Sequence, residues 1–87
     1  MRDVQDVENC LVSLIRLIVD EPGEVAIETI SGPVDTTYRV TVAKADIGKV
    51  IGKQGRTARS LRQILLAMSM TVNRRFKLDI VEEPKLG

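Results

Sequence analysis

Two glycines three apart, Gly52 and Gly55, enclose Lys53 and Gln54 in the run Ala45-Asp46-Ile47-Gly48-Lys49-Val50-Ile51-Gly52-Lys53-Gln54-Gly55-Arg56. Glycine has no Cβ, so another backbone can come close to it. A glycine-bounded turn that opens onto a helix presents unpaired N–H groups and the positive end of the helix dipole. Lys53 and Arg56 add full charges at the same place. The chemistry such a group can do is non-covalent: it can grip a sugar-phosphate chain. Apolar Ile47, Val50 and Ile51 lead into the turn, and a basic segment leads out of it.

Covalent chemistry is poorly provided for. The chain of 87 residues has no histidine, which removes Ser-His and Cys-His nucleophile systems and any His-based metal site. Its single cysteine, Cys10, can build neither a thiolate zinc cage nor an intramolecular disulfide, and fits a reducing compartment. Cys10 falls in an apolar helical stretch and reads as a small buried side chain rather than a reactive thiol. Gly48-Lys49-Val50-Ile51-Gly52-Lys53-Gln54 is not a nucleotide P-loop, because the glycine spacing is wrong and no Ser or Thr follows the lysine. The expectation is a binding protein with no cofactor, no metal and no enzymatic activity.

The net charge of +1 conceals a strong polarity. Residues 1–30 set Arg2 and Arg16 against Asp3, Asp6, Glu8, Asp20, Glu21, Glu24 and Glu28, a net −5. Residues 31–43 balance, Asp35 against Arg39. Residues 44–62 set Lys44, Lys49, Lys53, Arg56, Arg59 and Arg62 against Asp46 alone, a net +5. The remainder contributes +1. A charge run alone is most simply a solvated face. A basic patch that coincides with a phosphate-type loop is instead the electrostatic footprint of nucleic-acid binding.

The elements that must hold this loop can be read from periodicity. Asp3 can cap a helix with apolar positions Val4, Val7, Leu11, Leu14, Ile15 and Ile18, which Asp20-Glu21-Pro22-Gly23 ends. A strand over residues 24–31 turns at Gly32-Pro33 into a second over residues 36–43, with Tyr38, Val40 and Val42 on one face and Thr37, Arg39 and Thr41 on the other. Asp46 can cap a short helix over residues 47–51. A longer helix over residues 56–70 follows the loop, with Ala58, Leu61, Leu65 and Met68 on one side. The last strand, residues 74–81, points Phe76, Leu78 and Ile80 inward. The first two strands are expected to pair antiparallel, and the helical crossover joins the second and third in parallel. The fold class is therefore an α/β two-layer sandwich of order α-β-β-α-α-β, with a three-stranded mixed sheet and three helices on one face. Its core should join Tyr38, Val40, Val42, Phe76, Leu78 and Ile80 to Leu14, Ile18, Leu61, Leu65 and Met68. Apolar content of 44% suits one small globular domain. Apolar runs too short for a bilayer, and an N-terminus without a signal-peptide layout, predict a cytoplasmic protein.

This order, with Val50-Ile51-Gly52-Lys53-Gln54-Gly55-Arg56 between two helices, resembles the type II KH domain common in bacteria, over nearly the whole chain. The likeness is to its small single-domain members, and Asp6-Val7-Glu8, Pro22-Gly23 and Ile51-Gly52-Lys53-Gln54-Gly55-Arg56-Thr57 carry it. A bare G-x-x-G is a weak signal. One preceded by an apolar run and set inside a βααβ unit is specific. The resemblance implies a single type II KH domain over residues 1–87, with its GXXG loop at 52–55 clamping about four nucleotides of single-stranded RNA. It also implies a bacterial RNA chaperone or post-transcriptional regulator tied to cell division, cell shape and cell-wall growth. The implied partner is a second copy of the chain or a KhpB-like RNA-binding protein with a KH domain of its own.

On that reading Gly52 and Gly55 admit the sugar-phosphate chain, Lys53 and Gln54 meet its phosphates, and Arg56, Arg59 and Lys49 add charge alongside. Ile47, Val50 and Ile51 are candidates for an aliphatic floor beneath the bases, with core packing as the competing role. The only aromatics are Tyr38 and Phe76, both on strand faces assigned to the core, so base-stacking platforms are not expected. Two other readings stand beside this one. A KH fold could serve mainly as a protein-interaction module that dimerises through Ile64, Leu66 and Met70, unless these pack on the N-terminal helix. Single-stranded DNA is an alternative ligand, since nothing in the sequence reads a 2′-hydroxyl.

Overall fold

The computed structural model describes residues 3–82. Arg2, Glu83 and Lys85 of the charge count, and the closing tail from residue 83, lie outside them. Helix α1 spans Val4–Ile18 and starts where the sequence places its cap: the Asp3 carboxylate accepts the Asp6 N–H at 3.0 Å. Its buried stripe is Val7, Leu11 and Ile15, continued by Val19 just beyond the helix. Leu14 and Ile18, expected in the core, are only half-buried, because the stripe runs at i, i+4 one row over. Cys10 is likewise half-buried rather than buried. A 3-10 turn, Pro22–Glu24, follows and is closed by the Val25 N–H on Pro22 O at 3.2 Å. It delays the first strand, expected from residue 24, to Ala26.

Strands β1 (Ala26–Ser31) and β2 (Asp35–Thr41) pair antiparallel across the Gly32-Pro33 turn, where the Gly32 N–H donates to Asp35 O at 2.7 Å. Strand β3 (Arg75–Ile80) runs parallel to β2, giving the order β1-β2-β3. The expected mixed sheet is therefore present. Between β2 and β3 the chain forms helix α2 (Ile47–Ile51), the glycine loop and helix α3 (Arg56–Val72).

The alternation on β2 sorts the two faces. Thr36, Tyr38 and Val40 are fully buried against the helices, in one core with Val50, Ala58, Leu61, Leu65, Leu78 and Ile80. Arg39 points the other way and bridges Glu28 on β1 at 3.4 Å and Asp79 on β3 at 3.2 Å, its register partners on either side. Phe76 and Met68 pack at the margin of the core rather than inside it; the Phe76 ring centroid lies 5.6 Å from that of Tyr38.

Polar groups fasten the layers together. The Tyr38 hydroxyl donates to Val4 O at 2.9 Å, which ties the central strand to the start of α1. Burial, reinforced by the charge of Glu8, pushes the Tyr38 phenol up to about 12. Arg74 donates to Thr36 Oγ1 at 2.9 Å and to Gly32 O at 2.8 Å, which ties the entry of β3 to the β1–β2 turn. Ile64, Leu66 and Met70 lie outside the buried core, 37%, 59% and 84% exposed. Among the described residues, no helix is long and apolar enough to cross a membrane.

Candidate nucleic-acid interface

The loop between α2 and α3 is built from three conformational exceptions within four residues. Gly52 closes α2 at φ 80°, ψ 170°, a region open essentially to glycine alone. Gln54 follows at φ 56° and Gly55 at φ 74°, both left-handed. The Gly55 N–H returns to Gly52 O at 3.0 Å, so the turn is tight. The two glycines serve different ends. A Cβ on Gly52 would collide with Thr57, 2.7 Å from its backbone nitrogen, so this glycine is demanded by the chain's own turn. A Cβ on Gly55 would project into open space, with no atom within 4 Å. Open approach therefore belongs to Gly55 and to the exposed Lys53 and Gln54 beside it.

Gly55 also occupies the cap position of α3, where it offers no side chain to the first-turn N–H groups. These donors and the helix dipole face the loop. Arg56 and Arg59 reach back over it, their guanidinium groups lying 3.5 Å from Gln54 Oε1 and 3.5 Å from Gln54 O. The backward reach follows from the tilt of helical Cα–Cβ bonds toward the N-terminus. Among the described residues, Lys53, Arg56, Arg59 and Arg62 have no carboxylate partner. Their charges are available to an outside anion.

Lys49 differs. Its Nζ lies 3.2 Å from Asp20 Oδ2 and 3.8 Å from Asp46 Oδ1. Asp46 is fully buried and does not cap α2 with its side chain, contrary to expectation. Its two oxygens instead accept the Asp20 and Glu21 N–H groups, at 3.2 and 3.0 Å. The carboxylate thereby pins the segment after α1 to the entry of α2, and Lys49 offsets its charge.

The three apolar residues expected beneath the bases are divided. Ile47 and Ile51 are half-buried and border the surface, but Val50 is fully buried and belongs to the core. Sequence reasoning missed Thr57, whose backbone and side chain leave no room for a Cβ on Gly52. A cleft of about 530 Å³ opens at the opposite end of α3, lined by Val34, Leu66, Asn73 and Arg74 among others. An extended polynucleotide needs an open cationic ridge rather than a cavity, so the loop and not this cleft is the candidate interface.

A three-stranded mixed sheet under three helices, with a GXXG turn joining the second helix to the third, defines a type II KH domain. Residues 8–80 match the family model described as KhpA/KhpB, KH domain, and the chain belongs to that family. It is 42% identical to the RNA-binding protein KhpA of Chlamydia pneumoniae over 73 residues, 84% of this chain and 94% of that protein. It is 35% identical to the RNA-binding protein KhpA of Listeria monocytogenes over 75 residues, 86% of this chain and 99% of that protein. The identity to the RNA-binding protein KhpA of Borreliella burgdorferi is 36% over 69 residues, 79% of this chain and 84% of that protein. No solved structure matches the chain significantly.

Proposed function

We propose that this chain binds single-stranded RNA, clamping about four nucleotides across the Gly52–Gly55 loop, and that it catalyses no reaction. One observation carries the reading. The open face of Gly55, the exposed Lys53 and Gln54, and the first turn of α3 converge on cations that have no acidic partner within the described residues. The relatives named as RNA-binding proteins support it. Phosphates meet the side chains of Lys53, Arg56 and Arg59 beside the positive end of α3, while the exposed parts of Ile47 and Ile51 underlie the bases. The setting is the bacterial cytoplasm, and the role is RNA chaperoning or post-transcriptional control serving cell division and cell-wall growth.

The test is salt-dependent binding of a labelled, random-sequence RNA octamer. Neutralisation of roughly two to four phosphates gives a log–log slope of about −1.4 to −2.8. A slope near zero contradicts an electrostatic clamp, and a DNA octamer that binds as tightly favours a general single-strand binder.

A second role, partnering with another copy or with a KhpB-like protein, is favoured by exposed Leu66 and Met70 on α3. Single apolar residues on a surface are ordinary, but an exposed apolar stretch on one helix is the usual mark of an interface. Replacing both by Glu should leave the fold and RNA affinity intact and convert any dimer to monomer in sedimentation. A dimer that persists places the contact elsewhere.

A further inference from the structure

Of the basic residues from 44 to 62, Lys49 alone has carboxylate partners among the described residues. It stands on α2 three residues before Gly52, whose N–H closes that helix on Gly48 O at 2.8 Å. The Lys49 and Asp20 side chains are 45% and 74% exposed, so an outside anion can reach both. Asp20 is nevertheless not a loose surface residue. Its N–H donates to Asp46 Oδ1 at 3.2 Å, and the next N–H, that of Glu21, donates to Asp46 Oδ2 at 3.0 Å. Buried Asp46 thus fixes the Asp20 backbone beside α2 and draws the same Lys49 Nζ to 3.8 Å. The acids continue past Asp20. Glu21 and Glu24 are exposed and pair with no cation among the described residues.

Resting on the RNA-binding reading above, we propose that Asp20 is an affinity-limiting residue of the RNA site. Its carboxylate withholds Lys49 from phosphate, and the acidic segment 20–24 closes the α2 flank of the loop to the strand. A free surface ion pair is worth little and gives way to a competing anion. This pair is different because Asp46 holds the Asp20 backbone in place, so the carboxylate stays at the nitrogen that a phosphate would need. Behind it, Glu21 and Glu24 repel the same phosphate without neutralisation. Removing the Asp20 charge therefore strengthens binding, the opposite of what the loss of a merely supporting contact does.

The experiment compares Asp20→Asn, Lys49→Gln and the double variant with the unmodified chain, using salt titrations of a random-sequence RNA octamer and thermal unfolding of each protein. Asp20→Asn keeps the backbone N–H that Asp46 accepts. It should tighten octamer binding about 3- to 10-fold at low salt and steepen the slope by about 0.7, as one added single-strand phosphate contact requires. In the Lys49→Gln background the same change should leave the slope where Lys49→Gln alone puts it. If Asp20→Asn moves neither affinity nor slope, RNA already displaces Asp20 and the inference fails. An equal gain in both backgrounds also overturns it, since Asp20 then acts only by repulsion and withholds no lysine. A loss of binding together with a lower melting temperature makes the pair a structural support and overturns it too. Lys53→Asp with Gln54→Asp is the control on the underlying reading. If that pair leaves the octamer bound, the loop clamp itself is wrong; if it abolishes binding while Asp20→Asn changes nothing, only the limit set by Asp20 is wrong.

Discussion

A Cβ placed on Gly52 would stand 2.7 Å from the amide nitrogen of Thr57, whereas one placed on Gly55 would meet nothing within 4 Å. The same motif thus contains one glycine required by folding and one left open to a ligand. Gly52→Ala should destabilise the domain by roughly 2–4 kcal/mol, combining a glycine-only backbone region with a clash against backbone. Gly55→Ala should lose only about 1 kcal/mol, the usual left-handed penalty, while weakening RNA binding through the intruding methyl. Urea unfolding of both variants checks this, and equal losses would contradict the division of roles.

Asp46 supplies the second prediction. Asp46→Ala leaves two backbone N–H groups, those of Asp20 and Glu21, without their acceptor, and should cost about 2–3 kcal/mol. The neighbouring pair gives a binding counterpart. Lys49 is engaged by Asp20 at 3.2 Å, whereas Lys53 has no acidic partner among the described residues. Lys49→Gln should therefore alter the salt slope of RNA binding less than Lys53→Gln does. Equal changes would mean that RNA displaces Asp20.

Tyr38 gives a pH signature. Its phenol is raised from 10.0 to about 12 by burial first and by Glu8 second. Between those values the unfolded chain releases a proton that the folded chain keeps, so stability falls as pH rises. The contribution is fully present below pH 10 and is lost on the way to about pH 12, on the order of 2 kcal/mol. Tyr38→Phe should lose about 1 kcal/mol at neutral pH with the bond to Val4 O, and should lack that alkaline decline. Urea midpoints at pH 9 and 11 for both proteins measure it.

Much of this fold is legible in the sequence because its signals are local. The alternation at Tyr38 and Val40 on β2, continued by Val42 just beyond it, fixes the covered face, and the glycine spacing fixes the loop. The misreadings have a common physical cause. Six apolar positions on α1 leave its rotation open, and only packing against the sheet selects Val7, Leu11 and Ile15 over Leu14 and Ile18. Helix α2, with five residues, is too short to show a period, so nothing local distinguishes buried Val50 from half-buried Ile47 and Ile51. Asp46 has the propensity of a cap, but its partners lie 25 and 26 residues upstream, beyond any local rule. The surplus apolar residues of α3 are legible as surplus.

On the proposed function, the tip of the Gly52–Gly55 turn holds the RNA. Lys53 and Gln54 are exposed, and neither supports the core. Changing both to Asp places two negative charges against the phosphate path without disturbing packing. Fluorescence anisotropy with a random-sequence RNA octamer, beside thermal unfolding of the same variant, measures the effect. Binding should fall below detection with the melting temperature essentially unchanged; a variant that folds normally and still binds the octamer with its original affinity rules out the loop as the RNA site.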